Sequence, residues 1–401
     1  MAPSRMWGAG VLGRNGAMRF NRLSRLGLLL IAVGALVPSQ ASAASTVTEV
    51  ASGFDSPRGI AFVDGRIVVA EAGHGGSTCF TPPGAPATFR ICMGDTSRIS
   101  WVNRTTHRPT PLVTGLFSLS LSPEENIGAS GLSVGDGRIL AQIGVTPQEV
   151  PPTFALGQAQ AGHLISVNPR NGSWRSVASV GEKDFTFTLQ FTQPTQGVYS
   201  PGTNEHDANP YGVLATENGA YVADAGSNTL DFVGRNGKVT ILQYFGWRDP
   251  NPNNFPSDTV PTCVARSGNA LWVGELSGRL NRIVGNNVTQ VVPKNSAGQP
   301  LLSHVTGCTT DEEGNLYFVN MFGPGIPFTS PSFFQGSVVK YRPNGRASVV
   351  AGNLVTPNMA AFGPDGNLYV TVGSTCAAGA TAPPCAGGGK VVRINLQHND
   401  D

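Results

Sequence analysis

Residues 207–245 read DANPYGVLATENGAYVADAGSNTLDFVGRNGKVTILQYF. Four short apolar runs, YGVLAT, AYVAD, LDFVG and VTILQYF, are separated by Glu217-Asn218-Gly219, by AGSN and by Arg235-Asn236-Gly237. Asn-Gly between apolar runs marks a tight hairpin, because both residues accept positive φ at little cost. The segment therefore predicts four antiparallel strands. Both faces of such a sheet are apolar, so a single copy has to stack on others to stay dry.

Aligned on the end of the second strand, the unit recurs six times. The equivalent positions are Glu71, Ile143, Asp224, Glu275, Asn320 and Val372, at intervals of 72, 81, 51, 45 and 52 residues. The shorter intervals match the period of a propeller blade, and the longer ones hold insertions. The pattern predicts an all-β fold, a single-domain six-bladed β-propeller over residues 44–401. The sixth repeat lacks a fourth strand, since only QHNDD follows RINL. VTEVAS at 47–52 resembles SVVAG at the end of the fifth repeat. It is expected to complete the last blade, so that the N-terminal strand closes the ring and removes an open edge.

Connections between strands one and two are tight, as are those between three and four. Long insertions fall after strand two (74–96, 144–161, 322–335, 374–388) or between blades (183–206, 245–259). In an up-and-down blade both places lie on one rim of the disc. Elaboration confined to one face marks that face as the functional one.

The leading segment is a separate matter. Arg14, Arg19, Arg22 and Arg25 precede an apolar run from Leu26 to Val37, followed by Ala41-Ser42-Ala43. Charged flank, short apolar core and A-x-A predict a secretory signal peptide over 1–43 and a secreted or periplasmic chain. The apolar run is too short for a transmembrane anchor, and no later run is long enough. Beyond residue 43 the chain carries 22 basic and 25 acidic residues, which gives no footprint for nucleic acid.

Six cysteines in an exported chain favour disulfides. Cys79 and Cys92 flank one insertion and Cys376 and Cys385 another, so each pair is expected to close its own loop. Cys263 and Cys308 fall on the innermost strands of blades 4 and 5, about one residue out of register. Either they face each other and bond, or they are two buried thiols.

Each innermost strand starts, and each second strand ends, on the elaborated rim. Strand starts bring Arg58, Asn126, Asn209, Tyr211, His304 and Asn358 to the mouth of the central channel; strand ends bring Glu71, Asp224, Glu275 and Asn320. His74, His206 and Asp207 lie in adjacent loops. Three acids and an Asn in one ring could hold a divalent cation such as calcium through oxygen ligands, although Ile143 and Val372 interrupt the ring. The stronger alternative is structural: in Asp224-x-x-x-Asn228 the side chains can bind the backbone of their own turn. Tyr221, Trp272, Tyr317 and Tyr369 recur at one blade position and are read as packing residues. No G-x-S-x-G, H-E-x-x-H or P-loop is present, and no Ser/His/Asp set is placed for nucleophilic attack. The reading leans away from an enzyme.

With SPRGIAF…VVAEAG, NPYGVLA…YVADAGSN, VGELSG and AAFGPDGNLYV in place, the chain resembles the ScyD/ScyE family of exported, NHL-like propeller proteins over nearly all of residues 44–401. The resemblance implies a six-bladed fold and export, and no particular reaction. The expected function is a scaffold that binds a small molecule or an extracellular or envelope partner at the channel mouth. The rival expectation is a metal-dependent hydrolase or lactonase, similar to the gluconolactonase propellers, with Glu71, Asp224, Glu275 and Asn320 as ligands.

Overall fold

The computed structural model describes residues 45–81, 86, 89–122, 125–195, 200–246, 258–323 and 334–396. The expected signal peptide lies outside them. The described residues form a six-bladed β-propeller with one antiparallel sheet per blade. Blade 3 has strands Pro210–Thr216, Gly219–Asp224, Thr229–Gly234 and Val239–Tyr244, the four runs of the opening stretch. Blades 2, 4 and 5 repeat the pattern, beginning with Ala129–Gly135, Pro261–Ser267 and Val305–Thr310.

Blade 6 is built from both ends of the chain. Its order is Ala360–Phe362, Leu368–Val372, Gly389–Asn395 and, outermost, Thr46–Phe54. The N-terminal strand pairs antiparallel with the last one, from Thr46 opposite Asn395 to Phe54 opposite Gly389. The predicted closure is present, three residues longer than VTEVAS.

Strand alternation places the core between blades. In blade 5, Leu316, Phe318 and Val339 join a cluster with Ala265 and Trp272 of blade 4, while Tyr317, Val319 and Val338 join one with Val370 and Ile394 of blade 6. Every neighbouring pair of blades shares such a cluster. Each sheet is therefore wetted on both faces unless its neighbours are present, which is why the repeat cannot stand alone. The recurring aromatics serve these seams. Tyr317 meets Phe362 edge-on at 5.1 Å, and Tyr369 meets Phe62 at 5.0 Å.

Around the axis the innermost strands touch backbone to backbone. A Cβ on Gly59, Gly131, Gly212 or Gly307 would lie 2.3–2.5 Å from a carbonyl oxygen of the next blade. Only glycine permits that approach. Asp64-Gly65 and Asp136-Gly137 have both residues at positive φ, as two-residue hairpins between right-twisted strands require.

All three disulfides form, including Cys263–Cys308 between the innermost strands of blades 4 and 5. Cys263 stands opposite Gly274, the register at which blade 5 has Gly307, so Cys308 is one residue further on. The offset turns the two sulfurs toward each other.

Blade 1 departs from the repeat. Its third and fourth strands, Ile91–Val102 and Pro109–Ser122, run past the rim and gather two short strands, Thr78–Phe80 and Glu125–Ile127. The rim also carries two helices, α1 (Ala155–Gln160) within the 144–161 insertion and α2 (Val180–Thr188), which runs into the 183–206 insertion. No helix among the described residues is long and apolar enough to cross a membrane.

Candidate functional site

Pairing registers make Arg58, Ser130, Tyr211, Thr262 and Thr306 equivalent, since each follows the residue that faces the end of its blade's second strand; Asn358 lies just ahead of the first strand of blade 6, its N–H on the Thr371 carbonyl. In three blades this residue is a short hydroxyl that fastens the next blade. Ser130 Oγ donates to the Tyr211 carbonyl (3.1 Å), Thr262 Oγ1 to Val305 (2.5 Å) and Thr306 Oγ1 to Asn358 (2.9 Å). In blades 1 and 3 it is long and polar, Arg58 and Tyr211, and blade 6 brings Asn358 to meet them.

These three meet. The Tyr211 hydroxyl donates to Asn358 Oδ1 at 2.8 Å and accepts from Arg58 Nη1 at 3.5 Å. Blades 3 and 6 are opposite members of the ring, so the Tyr211–Asn358 bond crosses the channel. Arg58 Nη2 also donates to the carbonyl of Asn126 (2.8 Å), and Asn126 Nδ2 donates to Ser56 Oγ (3.1 Å). The short strand Glu125–Ile127 thus lies over the channel mouth. Glu125 beside it is pushed up to about 7 by burial, against the opposing pull of Arg58. Asn358 is fully buried, and its Nδ2 has no hydrogen-bond partner among the described residues.

Other expected residues do not join this group. Asn209 ties blade 3 to blade 2 by accepting from the Val145 N–H at 3.0 Å. His304 stays with blade 5, bonded to Ser303 Oγ (2.9 Å) and edge-on to Phe322. Burial holds its pKa down to about 4, so it is neutral near pH 7. His74 Nδ1 bonds Asp55 at 2.6 Å, and Asp55 accepts from the Ala378 N–H in the stapled loop of blade 6. Asp55 thus ties the start of blade 1 to the stapled loop of blade 6. His206 and Asp207 stay in the loop ahead of blade 3.

The strand-end polar residues occupy the predicted positions, but each turns into its own blade. Glu71 takes Arg98 bidentately (2.7 and 2.6 Å), together with Ser100 Oγ and the Asp55 N–H. Asp224 Oδ1 accepts from the N–H groups of Asn209, Gly226 and Ser227. Glu275 accepts from Ser277 and Asn281, and Asn320 bonds Ser303, Leu301 and Ser337. Glu71, Asp224, Glu275 and Asn320 thus each hold turns and strand starts of their own blades. Among the described residues no three His, Cys, Asp or Glu side chains are arranged to hold a metal ion.

Blade 3 carries a feature the sequence reading missed. Asp184 of α2 lies against Asp224 and Asp231, all three fully buried. No Lys or Arg pairs with them among the described residues. Burial, reinforced by the neighbouring carboxylates, raises Asp184 well above its ordinary value and pushes Asp231 up to about 8. Asp207 is pushed up to about 7 by burial and by the charges of Glu205 and Asp224. With no cation paired to them among the described residues, these carboxyls favour the protonated form more than an exposed Asp does. The available signal was Asp231 itself, an acid between Leu230 and Phe232 in an otherwise apolar strand.

Two clefts open on the opposite, short-turn rim. One of about 300 Å³ lies between blades 2 and 3, and one of about 570 Å³ between blades 4 and 5. They are interblade grooves away from the channel group.

Fold and site together define a six-bladed propeller whose channel is bridged at the elaborated rim. No family model matches the chain, and no curated protein matches it. Solved structures do. A protein of unknown function from Bacteroides thetaiotaomicron is 12% identical, with 88% of this chain and 76% of that one covered and a TM-score of 0.52. A gluconolactonase from Xanthomonas campestris is 10% identical, with 88% and 90% covered and a TM-score of 0.49. The calcium-binding protein regucalcin from Agrobacterium tumefaciens is 14% identical, with 88% and 94% covered and a TM-score of 0.48. At 12% identity the likeness to the Bacteroides protein shows the fold alone.

Proposed function

We propose that this chain is an exported ligand-binding scaffold of ScyD/ScyE type, with its site at the channel mouth on the long-loop face. The observation that carries the reading is the buried, unpartnered Asn358 Nδ2 beside the Tyr211 hydroxyl and the Arg58 guanidinium. A buried donor without an acceptor costs about 1–3 kcal/mol, which a bound ligand would recover. The motifs behind the family resemblance also acquire a physical meaning. SPRG and NPYG supply Arg58 and Tyr211 to the bridge, and Gly59 and Gly212 to the close strand contact beneath it. Export is supported by the leader-like sequence of residues 1–43 and by three disulfides.

A small-molecule screen by thermal shift tests the reading, with wild type and Asn358→Ala compared. Ligands of this site are expected to stabilise wild type by mass action and to lose that effect in the variant. Hits that stabilise both proteins equally would place the site elsewhere. The rival, a divalent-metal hydrolase, needs oxygen ligands that Glu71, Asp224, Glu275 and Asn320 already commit to their own blades. Calcium followed by chelator is expected to leave the melting temperature unchanged. A shift lost in Glu275→Gln would favour the rival.

A further inference from the structure

We propose that the channel mouth takes a small monoanionic carboxylate, one oxygen on the Arg58 guanidinium and the other on Asn358 Nδ2. This rests on the channel-mouth reading above and adds the chemical class of the ligand. Both groups bond the same Tyr211 hydroxyl, Arg58 as a donor to it and Asn358 through Oδ1, which gathers the guanidinium and the amide around one atom. Arg58 is half-buried, and among the described residues no carboxylate forms an ion pair with it. A guanidinium withdrawn from water calls for an anion, and its planar fork matches a carboxylate.

The charge balance argues for a single negative charge. Arg58 is the one cation placed in the bridge, and Glu125, which feels that cation, would repel a dianion once ionised. Burial of Glu125 keeps much of it protonated near pH 7, and in that form it adds a donor at the rim of the site. Phosphate, largely dianionic at pH 7.5, is the poorer match. A neutral amide would leave the guanidinium uncompensated.

The test uses the whole chain and phenylglyoxal, which modifies accessible guanidinium groups, at pH 7.5. Modification of Arg58 is followed by peptide mass, with exposed Arg104 as the internal reference. Acetate, lactate and benzoate are compared with acetamide, lactamide, benzamide and phosphate. At least one carboxylate is expected to slow modification of Arg58 about fivefold or more and to leave Arg104 unchanged, while its amide does neither. Equal protection by the amides would overturn the carboxylate assignment and leave a ligand site standing. Stronger protection by phosphate would overturn the monoanion argument alone. If no carboxylate protects, or if Arg58 never reacts, the carboxylate assignment fails, while the site reading is decided separately by the thermal-shift screen with Asn358→Ala.

Discussion

The Tyr211 hydroxyl lies 2.8 Å from Asn358 Oδ1, and that one bond joins blade 3 to blade 6 across the channel. Asn358 is fully buried, so its Oδ1 has no water to fall back on when the phenol is removed. Tyr211→Phe is therefore expected to cost about 1–3 kcal/mol, the range for a buried polar group left without its partner. Urea unfolding of the variant measures this. Loss of less than about 0.5 kcal/mol would mean that the bridge is slack and that water already reaches the amide.

Ring closure predicts a larger effect. Phe54 ends the N-terminal strand, is fully buried, and packs with Ile60 and Val69 of blade 1 and Val391 of blade 6. Phe54→Ala is expected to cost about 3–5 kcal/mol through lost burial and the cavity left behind. Deleting residues 46–54 goes further, because it strips the Gly389–Asn395 edge of its partner and opens the seam between blades 6 and 1. The expected outcome is loss of a single cooperative transition in calorimetry. A truncated chain that melts as one unit at the wild-type temperature would refute closure as a requirement.

Much of this architecture was legible because the propeller writes its period into the chain. Strand ends at Glu71, Asp224, Glu275 and Asn320 were placed by repeat spacing alone, and the pairing registers agree. Their roles were less legible, since role depends on partners far away in sequence. Glu71 is held by Arg98, in a strand lengthened beyond the repeat, and no local pattern announces that pairing. The channel group was legible in part. Arg58, Tyr211, Asn126 and Asn358 were named from repeat spacing and are linked by hydrogen bonds, whereas the strand Glu125–Ile127 that joins them belongs to an insertion without a repeat to read it by. Asp184 was hidden for the same reason: α2 lies in an interblade insertion, and its contact with Asp231 is tertiary.

The Glu71–Arg98 pair gives a third prediction. Glu71 is fully buried, whereas the Arg98 side chain keeps a quarter of its surface exposed. Removing the cation leaves a carboxylate in a dry site with only Ser100 and one backbone N–H for support. Arg98→Met is expected to destabilise by about 3 kcal/mol, near the lower end for one member of a buried pair because Arg98 is partly solvated. The double variant Arg98→Met/Glu71→Leu should recover part of that loss, since two apolar groups of similar size leave no charge stranded. Chemical denaturation of the single and double variants decides it. A double variant no more stable than Arg98→Met would show that Glu71 matters through its turn contacts rather than through its charge.

The carboxyls beneath α2 set the response to pH. In the folded chain Asp231 is pushed up to about 8 and Asp207 to about 7, from an ordinary 3.8, and Asp184 is raised as well. The folded state therefore binds more protons than the unfolded state between pH 4 and 8, and stability falls as pH rises through that window. The contribution is complete below the ordinary carboxylate range and is lost once pH passes the folded values. Asp231 faces Asp184 and Asp224, with Lys183 as the cation that offsets part of the effect. Asp231→Asn keeps the shape, removes one ionisation and leaves Asp184 one charged neighbour fewer. Its melting temperature is expected to decline less steeply than that of wild type between pH 6 and 9, with the two curves closest at pH 5. Parallel curves would show that Asp231 is already ionised at neutral pH and is neutralised by something other than a proton.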